Sequence, residues 1–323
     1  MKSHHALIFV IVLALGVAAP FLGLYPILLM KLLCFALFAC AFNLLIGFVG
    51  LLSFGHAMFF GSAGYAAGHA MKHWGFTPEL GLLLGVAVAA LLGLVAGALA
   101  IRRQGIYFAM ITMALAQMIY FVALQAPFTG GEDGLQGVPR GHLLGVLPLQ
   151  DDLVLYYVVL AIVVGAWLFI ARVVHSPFGQ ILKAIRENET RATSLGYDTD
   201  RFKLVAFVLS AALAGLAGSL KALVLGFATL TDVHWATSGS VILMSLIGGI
   251  GTLTGPVVGA FVITGLENVL ADRVGSWVTV ILGVIFVVSV LLFRQGLVGT
   301  LKDVVGRTRS KPEKAVGEAR AAH

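Results

Sequence analysis

Long uncharged stretches dominate the pattern of hydrophobic and polar positions along the chain. Runs without Asp, Glu, Lys or Arg cover residues 6–30, 32–71, 80–101, 104–131, 153–171, 204–220, 233–266 and 274–293. About 20 apolar residues are enough for a helix to cross the ~30 Å hydrocarbon core of a bilayer. Strands of a membrane barrel would alternate in character over about 10 residues, and that alternation is absent here. The pattern therefore predicts an all-α, polytopic inner-membrane helical bundle.

Composition supports a membrane protein. The chain is 59% hydrophobic and 11% charged, whereas soluble domains carry about 25% charged residues. In this setting the net charge of +6 fits membrane topology and anionic lipid, and we predict no nucleic-acid partner. Cys34 and Cys40 share one apolar run and predict neither a disulfide nor a metal site. The first run resembles a signal peptide, but a second span follows at once, which favours an uncleaved first helix.

The distribution of Lys and Arg predicts the topology. Basic connections occur at Arg102-Arg103, within residues 172–203 and in the tail from Arg294, whereas residues 125–153 are mainly acidic and are assigned to the outer side. From a cytoplasmic N-terminus, crossings near residues 6–23, 27–49, 52–71 and 80–101 return the chain to Arg102. We predict a transmembrane domain over residues 1–293, a disordered basic tail over residues 294–323, and two cytoplasmic termini.

The run over residues 233–266 does not fit one crossing. Its 34 uncharged residues would extend about 51 Å as a single helix. The last run, at residues 274–293, must cross from the outer side to the cytoplasm, because the basic tail that follows it is assigned to the cytoplasm. The chain must therefore be back at the outer side before residue 274. Two short helices or a re-entrant pair, broken near residues 248–256, satisfy this requirement, so the count is eight or ten crossings.

Two glycine-rich segments share the pattern G-x-x-G-x-L-[S/T] at an offset of 201 residues: GFVGLLS at 47–53 and GGIGTLT at 248–254. Paired breaks in the two halves of a transporter point to its transport site, and close helix packing through glycine is the alternative. We predict a substrate pathway at Asn43, Ser53, Gly55 and His56. Helix–helix hydrogen bonding, or a satisfied interior histidine at His56, would explain the same residues. An outer mouth is predicted at Thr129, Gly130 and Gly131, where an ordinary loop is the alternative.

A mixed-charge amphipathic stretch lies between two spans. Ser176 can cap a helix, Pro177 suits its first turn and Gly196 can end it. Glu187 and Arg191 have the spacing of a favourable helical pair. We predict a cytoplasmic helix over residues 177–196. A lipid-bound helix should have a polar face dominated by Lys and Arg, so a protein partner is favoured over a headgroup contact or a solvated connector.

The chemistry of energy coupling is missing from the chain. No G-x-x-x-x-G-K-[S/T] phosphate loop occurs, so any ATP that drives transport binds elsewhere. Glu267 is the carboxylate near a membrane segment and is predicted to mark a helix end, while Lys221 is predicted to extend to the outer interface. Proton coupling is therefore disfavoured, and sodium coupling stays open. The histidines lack an H-E-x-x-H partner, so neither catalytic nor metal-ligating residues are predicted.

Four segments carry a resemblance over nearly the whole chain: residues 42–68, FNLLIGFVGLLSFGHAMFFGSAGYAAG; 129–139, TGGEDGLQGVP; 184–198, AIRENETRATSLGYD; and 248–260, GGIGTLTGPVVGA. They resemble the branched-chain amino acid permeases of ABC importers, specifically the second of the two sister permeases. The resemblance implies that residues 184–196 form the coupling helix that docks on the ATPase. Its implied contact residues are Ala184, Ile185, Arg186, Glu187, Asn188, Glu189, Ala192, Leu195 and Gly196.

The same resemblance implies the partners: a homologous sister permease, two ATP-binding subunits that hold ATP and Mg, and an extracytoplasmic solute-binding protein. This chain itself would bind no cofactor and would not be an enzyme. Amino acids, above all branched-chain or hydrophobic ones, are the implied cargo, although related permeases carry urea or aromatic acids. A self-sufficient secondary transporter or channel for a small polar solute is the competing function.

Overall fold

The structure is a computed structural model, and it describes residues 16–22, 25–143, 145, 147–277, 280, 281, 283–285 and 287. The helices that follow the short 3₁₀ helix Ala19–Leu22 are α1 Pro26–Phe48, α2 His56–His73, α3 Pro78–Ala100, α4 Ile106–Gln125, α5 Asp152–His175, α6 Pro177–Glu187, α7 Glu189–Ser194, α8 Thr199–Leu225, α9 Leu230–Val233, α10 Trp235–Gly248 and α11 Gly255–Val274. The predicted all-helical class is confirmed. The N-terminal part of the first crossing, half of the last crossing and the tail lie outside the described residues.

Several helices in the described part of the chain have the dimensions needed to span a membrane. Helices α1, α3, α4, α5 and α8 are long and apolar enough to cross a bilayer, and α2 has 18 residues. Helices α1, α2 and α3 fall on the crossings predicted near 27–49, 52–71 and 80–101. Local signals explain their starts: Pro26 and Pro78 stand in first turns, and the Asp151 side chain accepts a hydrogen bond from Leu153 N at the start of α5.

Helix α8 forms the centre of the bundle, where it packs against α1, α2 and α3. Small residues permit this close approach. A Cβ atom on Gly64 would lie 3.2 Å from the Gly218 carbonyl oxygen, and one on Gly97 would lie 3.0 Å from a ring carbon of Phe207. Glycines thus allow close helix packing in this part of the bundle.

The long run over residues 233–266 is broken, as predicted. Helix α10 ends at Gly248 and α11 begins at Gly255, so residues 249–254 form an irregular link between two short helices. The prediction that Glu267 marks a helix end is wrong, because α11 continues for about two more turns, to Val274. The packing of the α10–α11 pair against α1 provides the context that lets this helix continue past a carboxylate.

The mixed-charge stretch differs from the predicted continuous helix over residues 177–196. Ser176 caps α6, accepting a hydrogen bond from Gly179 N, but α6 stops at Glu187. Asn188 is extended, at φ −159°, and its Oδ1 accepts a 2.9 Å hydrogen bond from Arg191 N that starts α7. Because an asparagine cap interrupts the helix, Glu187 and Arg191 belong to different helices and their predicted helical pairing does not apply.

Short strands lie at the end of the bundle opposite α6 and α7. Strand β1, Leu135–Gln136, pairs antiparallel with β4, Phe227–Ala228, and β2, His142–Leu143, pairs with β3, Leu147–Pro148. The β1–β4 pair ties the long loop after α4 to the end of α8. We call this the loop end, and we call the opposite end, where α8 begins next to α7, the α6–α7 end.

Candidate functional site

The two glycine-rich segments each separate two helices and contain a left-handed glycine. Each follows the end of a helix and precedes the start of another: residues 49–55 lie between α1 and α2, and residues 249–254 between α10 and α11. Gly50 and Gly251, which are 201 residues apart, have φ values of 84° and 78°. Residues with a Cβ rarely adopt this left-handed conformation. Both copies of the sequence repeat thus form helix breaks, and we call residues 47–55 the first break and residues 248–254 the second break.

The two breaks touch each other through their backbones. A Cβ atom on Gly47 would lie 2.7 Å from Gly251 N and 2.9 Å from Gly251 Cα. These distances leave no room for any side chain at Gly47. Helix α1 therefore ends directly against the second break, and segments about 200 residues apart form one junction.

Asn43 fastens the second break to α1. Its Nδ2 donates to the Thr252 carbonyl oxygen and its Oδ1 accepts from Gly251 N, both at 2.9 Å. Trp167 of α5 adds a 3.0 Å hydrogen bond from Nε1 to the Leu253 carbonyl oxygen. Irregular backbone is tolerated at membrane depth only where it is buried in protein or lines a cavity, so these bonds explain how the break persists.

The first break is supported by hydroxyl groups. Ser53 Oγ accepts from Gly55 N, and Thr112 Oγ1 of α4 accepts from Phe54 N, both at 3.2 Å. Ser238 of α10 accepts a 2.9 Å hydrogen bond from Ala57 N. These amides precede or open α2 and have no carbonyl partner within that helix. Side chains from two other helices thus let α2 begin inside the bundle.

His56, in the first turn of α2, belongs to a buried hydrogen-bond chain. Its Nε2 lies 2.8 Å from Ser210 Oγ, and the Ser210 hydroxyl donates to the Ala41 carbonyl oxygen at 2.6 Å. Since that hydroxyl proton is already used, His56 Nε2 is the donor. Edge-on aromatic rings surround the imidazole: Phe42, Phe59 and Phe207. The chain joins α2 to α8 and α1.

Arg186 of α6 reaches into the junction of the two breaks. Its Nη1 donates a hydrogen bond to the Gly47 carbonyl oxygen. A Cβ on Gly50 would lie 3.1 Å from Arg186 Cγ, and a Cβ on Gly251 would lie 3.1 Å from Arg186 Nη1. The guanidinium therefore binds the end of α1, where the helix dipole favours a cation, while it contacts both breaks.

The other residues predicted for partner docking divide into two groups. Ile185 and Ala192 are buried, at 4% and 2% exposure, and Glu189 accepts a hydrogen bond from the buried Lys203 of α8. These three side chains fix α6 and α7 to the bundle. The exposed group comprises Ala184, Glu187, Asn188, Leu195 and Gly196. Their contact with a partner stays a prediction.

A cavity of about 410 Å³ lies between the first break and the start of α4. Its lining is mainly apolar: Gly50, Leu51, Leu52, Phe54, Gly105, Ile106, Phe108 and Ala109. Asn43, Ser53 and His56 are buried and do not line this cavity, and a Cβ on Gly55 would lie 2.7 Å from the Thr112 carbonyl oxygen. Their role in a substrate pathway stays a prediction.

At the loop end, the residues predicted to form an outer mouth follow α4. Thr129 is buried, and its Oγ1 donates to the carbonyl oxygens of Ala123 and Ala126, each at 2.6 Å. Gly130 and Gly131 have φ values of 79° and 61°. Thr129 therefore closes the C-terminal end of α4, and the two glycines turn the chain away from it.

A buried ion pair was missed by sequence reasoning. Lys221 of α8 is 6% exposed, and its Nζ lies 2.6 Å from Oδ2 of Asp232 in α9. The prediction that Lys221 extends to the outer interface is wrong, because this carboxylate binds it inside the bundle. The spacing Thr229-x-x-Asp232, a capping box at the start of α9, was the signal that could have located Asp232.

Comparison with known proteins identifies the class. The fold is that of a polytopic membrane protein, and a family model described as "Branched-chain amino acid transport system / permease component" matches residues 25–290. The chain belongs to this family of ABC transporter permeases. The resemblance found from sequence motifs is thereby confirmed. No solved structure shows significant similarity to the chain.

Two curated relatives share the name "High-affinity branched-chain amino acid transport system permease protein LivM". The one from Escherichia coli K12 is 27% identical over 322 residues, covering 90% of this chain and 74% of the relative. The Salmonella typhimurium protein is 27% identical, covering 88% and 73%. An "Autoinducer 2 import system permease protein LsrC" from Klebsiella pneumoniae is 29% identical over 59% of this chain and 56% of its own length.

Proposed function

We propose that this chain is the membrane-spanning subunit of an ABC importer that moves amino acids, above all branched-chain or hydrophobic ones, into the cell. ATP hydrolysis on separate subunits would be coupled to transport through α6 and α7. One observation carries the proposal: Arg186 of α6 binds the Gly47 carbonyl oxygen and contacts Gly50 and Gly251. A single side chain thereby links the segment implied to dock on an ATPase to both breaks.

The coupling mechanism follows from this geometry. A hydrogen bond to a charged group contributes about 1.5–3 kcal/mol, enough for a displacement of α6 to bias the position of the end of α1. Asn43 then carries that displacement to the second break through its two bonds to Gly251 and Thr252. The first and second breaks would therefore move as one unit.

The division between exposed and buried side chains suggests how the partners are arranged. Glu187 and Leu195 are exposed at the α6–α7 end and would face an ATPase, and Arg186 would transmit its movement inward. The loop end, with Gly130 and Gly131, would face the extracytoplasmic solute-binding protein. A sister permease would complete the pathway in the inner membrane, with both termini of this chain in the cytoplasm.

Branched-chain amino acids are preferred as cargo because of the relatives named for that cargo, which align with 90% and 88% of this chain. The relative named for autoinducer 2 import aligns with 59%. Import of a solute such as autoinducer 2 is therefore the second candidate. The two differ in the ligand that the solute-binding protein delivers, so uptake of labelled leucine and of autoinducer 2 distinguishes them.

The test uses the complete complex in liposomes: this chain, its sister permease, both ATPases and the binding protein. We expect leucine uptake that requires ATP. Arg186→Met should retain the ATPases on purification and hydrolyse ATP, yet lose about tenfold or more in uptake, since the bond to Gly47 is worth about 1.5–3 kcal/mol. Arg172→Met is the matched control, because it removes an exposed arginine from α5.

Two results would contradict the proposal. Uptake by Arg186→Met at the rate of the unsubstituted complex would remove Arg186 from the coupling route. Uptake by this chain alone, driven by an ion gradient, would establish a self-sufficient secondary transporter instead.

A further inference from the structure

The Lys221–Asp232 pair is the most buried pair of opposite charges in the described part of the chain. The Lys221 and Asp232 side chains are 7% and 10% exposed, and the other described pairs each include a more exposed partner. Replacing a buried ion pair by apolar residues is often neutral or stabilising, so stability alone does not account for one. Ionisable residues within membrane bundles mark substrate pathways by default. The pair therefore calls for a functional explanation.

Asp232 is bound through one of its two oxygens. Oδ2 accepts hydrogen bonds from Lys221 Nζ at 2.6 Å, from Thr229 N at 3.1 Å and from Thr229 Oγ1 at 3.1 Å. Among the described residues, Oδ1 has no hydrogen-bond partner. An ionised carboxylate accepts through both oxygens, so the site keeps an unused acceptor for a positively charged group.

Lys221 and Tyr65 supply unused donors next to that acceptor. The Lys221 ammonium has three N–H groups; one binds Asp232, and Nζ lies 5.1 Å from the centroid of the Phe227 ring. The Tyr65 hydroxyl of α2 is buried without a partner in the described structure. Tyr65 lies one helical turn after Gly61, which packs against Asp232, on the same face of α2. A buried hydroxyl without a hydrogen bond costs folding free energy, which indicates that a ligand supplies the missing hydrogen-bond partner.

The pair also lies beside the helices next to the first break. Helix α9, which carries Asp232, packs against α2, which follows the first break, and against α4, whose first residues line the cavity. A Cβ on Gly61 of α2 would lie 2.9 Å from the Asp232 carbonyl carbon. The four-residue α9 therefore closes the bundle between α2 and α4 near the loop end, and Lys221 holds it there.

We propose that Lys221, Asp232 and Tyr65 form a binding site for the charged ends of a zwitterion, the form of an α-amino acid at neutral pH. The ligand carboxylate binds Lys221 and the Tyr65 hydroxyl, and the ligand ammonium binds Asp232. The internal ion pair is exchanged for two pairs with the solute, so no charge is left uncompensated as α9 moves aside. The inference rests on the proposed function and names its substrate-recognition residues.

The test removes both charges together. The double variant Lys221→Met, Asp232→Asn preserves the size of both side chains and leaves no unpaired charge. In the reconstituted complex, ATP hydrolysis stimulated by the loaded binding protein should persist, while leucine uptake should fall about tenfold or more, because each contact with a charged group is worth about 1.5–3 kcal/mol. The double variant Lys31→Met, Glu267→Gln, which removes one charge of each sign from α1 and α11, should leave uptake intact.

Uptake by the Lys221→Met, Asp232→Asn variant within twofold of the unsubstituted complex would overturn the proposal. If this variant loses ATP hydrolysis as well, the Tyr65→Phe variant distinguishes a binding site from a purely structural one. That change removes an oxygen with no partner in the described structure, so a purely structural site predicts unchanged uptake. We expect instead a rise of about tenfold in the half-saturating concentration of the loaded binding protein. Failure of the proposed function would be recognised separately, as the absence of ATP-dependent uptake in the unsubstituted complex.

Discussion

The first and second breaks have similar sequences and the same left-handed glycine, yet their surroundings differ. The first break is supported mainly by hydroxyl groups, from Ser53, Thr112 and Ser238, and one side of it faces a cavity. The second is held by the Asn43 amide and the Trp167 indole. A short glycine pattern thus specifies the turn, whereas neighbouring helices decide what the turn does. One side of the first break borders a cavity, and the second break supports the end of α1.

Gly47→Ala should have the largest effect, because Gly47 joins the two breaks. The new methyl group would lie 2.7 Å from Gly251 N and would also meet the Asn43 side chain, which is itself hydrogen-bonded to Gly251. We expect a loss of about 3 kcal/mol in the free energy of unfolding, at the upper end for overpacking, and loss of uptake. Unfolding midpoints of the purified chain in detergent measure the first effect.

Gly165→Ala provides the control for that prediction. A Cβ there would meet nothing within 4 Å, and alanine favours the helix that contains it. Equal midpoints for the two variants would show that the junction tolerates a methyl group, and the close contact of the two breaks would lose its significance.

Asn43→Leu should have an intermediate effect that is confined to the second break. The change keeps an approximately equal volume but leaves Gly251 N and the Thr252 carbonyl oxygen without their Asn43 partners. We expect a loss of about 2 kcal/mol, since each buried unsatisfied group costs about 1–3 kcal/mol. Hydrogen exchange should accelerate at the Gly251 amide and stay unchanged at Phe54.

Ser245→Ala is the matched control for Asn43→Leu. The Ser245 hydroxyl donates to the Ala39 carbonyl oxygen of α1 at 3.3 Å, and the Ser245 side chain binds no amide of either break. Faster exchange at Gly251 in this control, or none in Asn43→Leu, would contradict the role assigned to Asn43.

Thr112→Val should have the smallest effect, confined to the first break. Valine retains the shape of threonine but removes the oxygen that accepts from Phe54 N. We expect a loss of about 1 kcal/mol, the lower end for an unsatisfied amide, because the cavity beside this segment admits water. Thr112→Ser keeps the hydroxyl, so it should retain slow exchange at Phe54. Fast exchange in both variants would show that packing, and not the hydrogen bond, protects the first break.

Much of the fold could be predicted because its signals are local. Uncharged runs located α1, α2 and α3, and the repeated glycine pattern located both breaks. Ser176 was correctly predicted as a cap. The helix end expected at Glu267 and the continuous helix to Gly196 were wrong, because a packed helix can continue past a carboxylate and because Asn188 can interrupt a helix by capping the next one.

The candidate site was predicted less completely, since its contacts join distant parts of the chain. Asn43 was selected as a polar residue at membrane depth, but its two bonds to the second break span more than 200 residues. Arg186 was expected to meet a partner at the surface, and this stays a prediction. The residue is exposed, and its guanidinium also binds Gly47. Asp232 was overlooked because it lies beside an apolar run. Lys221 was assigned to the interface because Asp232 had not been recognised as its partner.

The sequence by itself determined the apolar spans, the helix caps and the left-handed turns at Gly50 and Gly251, because each depends on the chemistry of residues a few positions apart. Only the tertiary structure decided that the two breaks touch, that Arg186 binds their junction, and that Lys221 is neutralised by Asp232. Those contacts depend on how α1, α6, α8, α9 and α10 pack together. A buried polar group accepts whichever partner the packing brings within about 3 Å, and local sequence does not specify that partner.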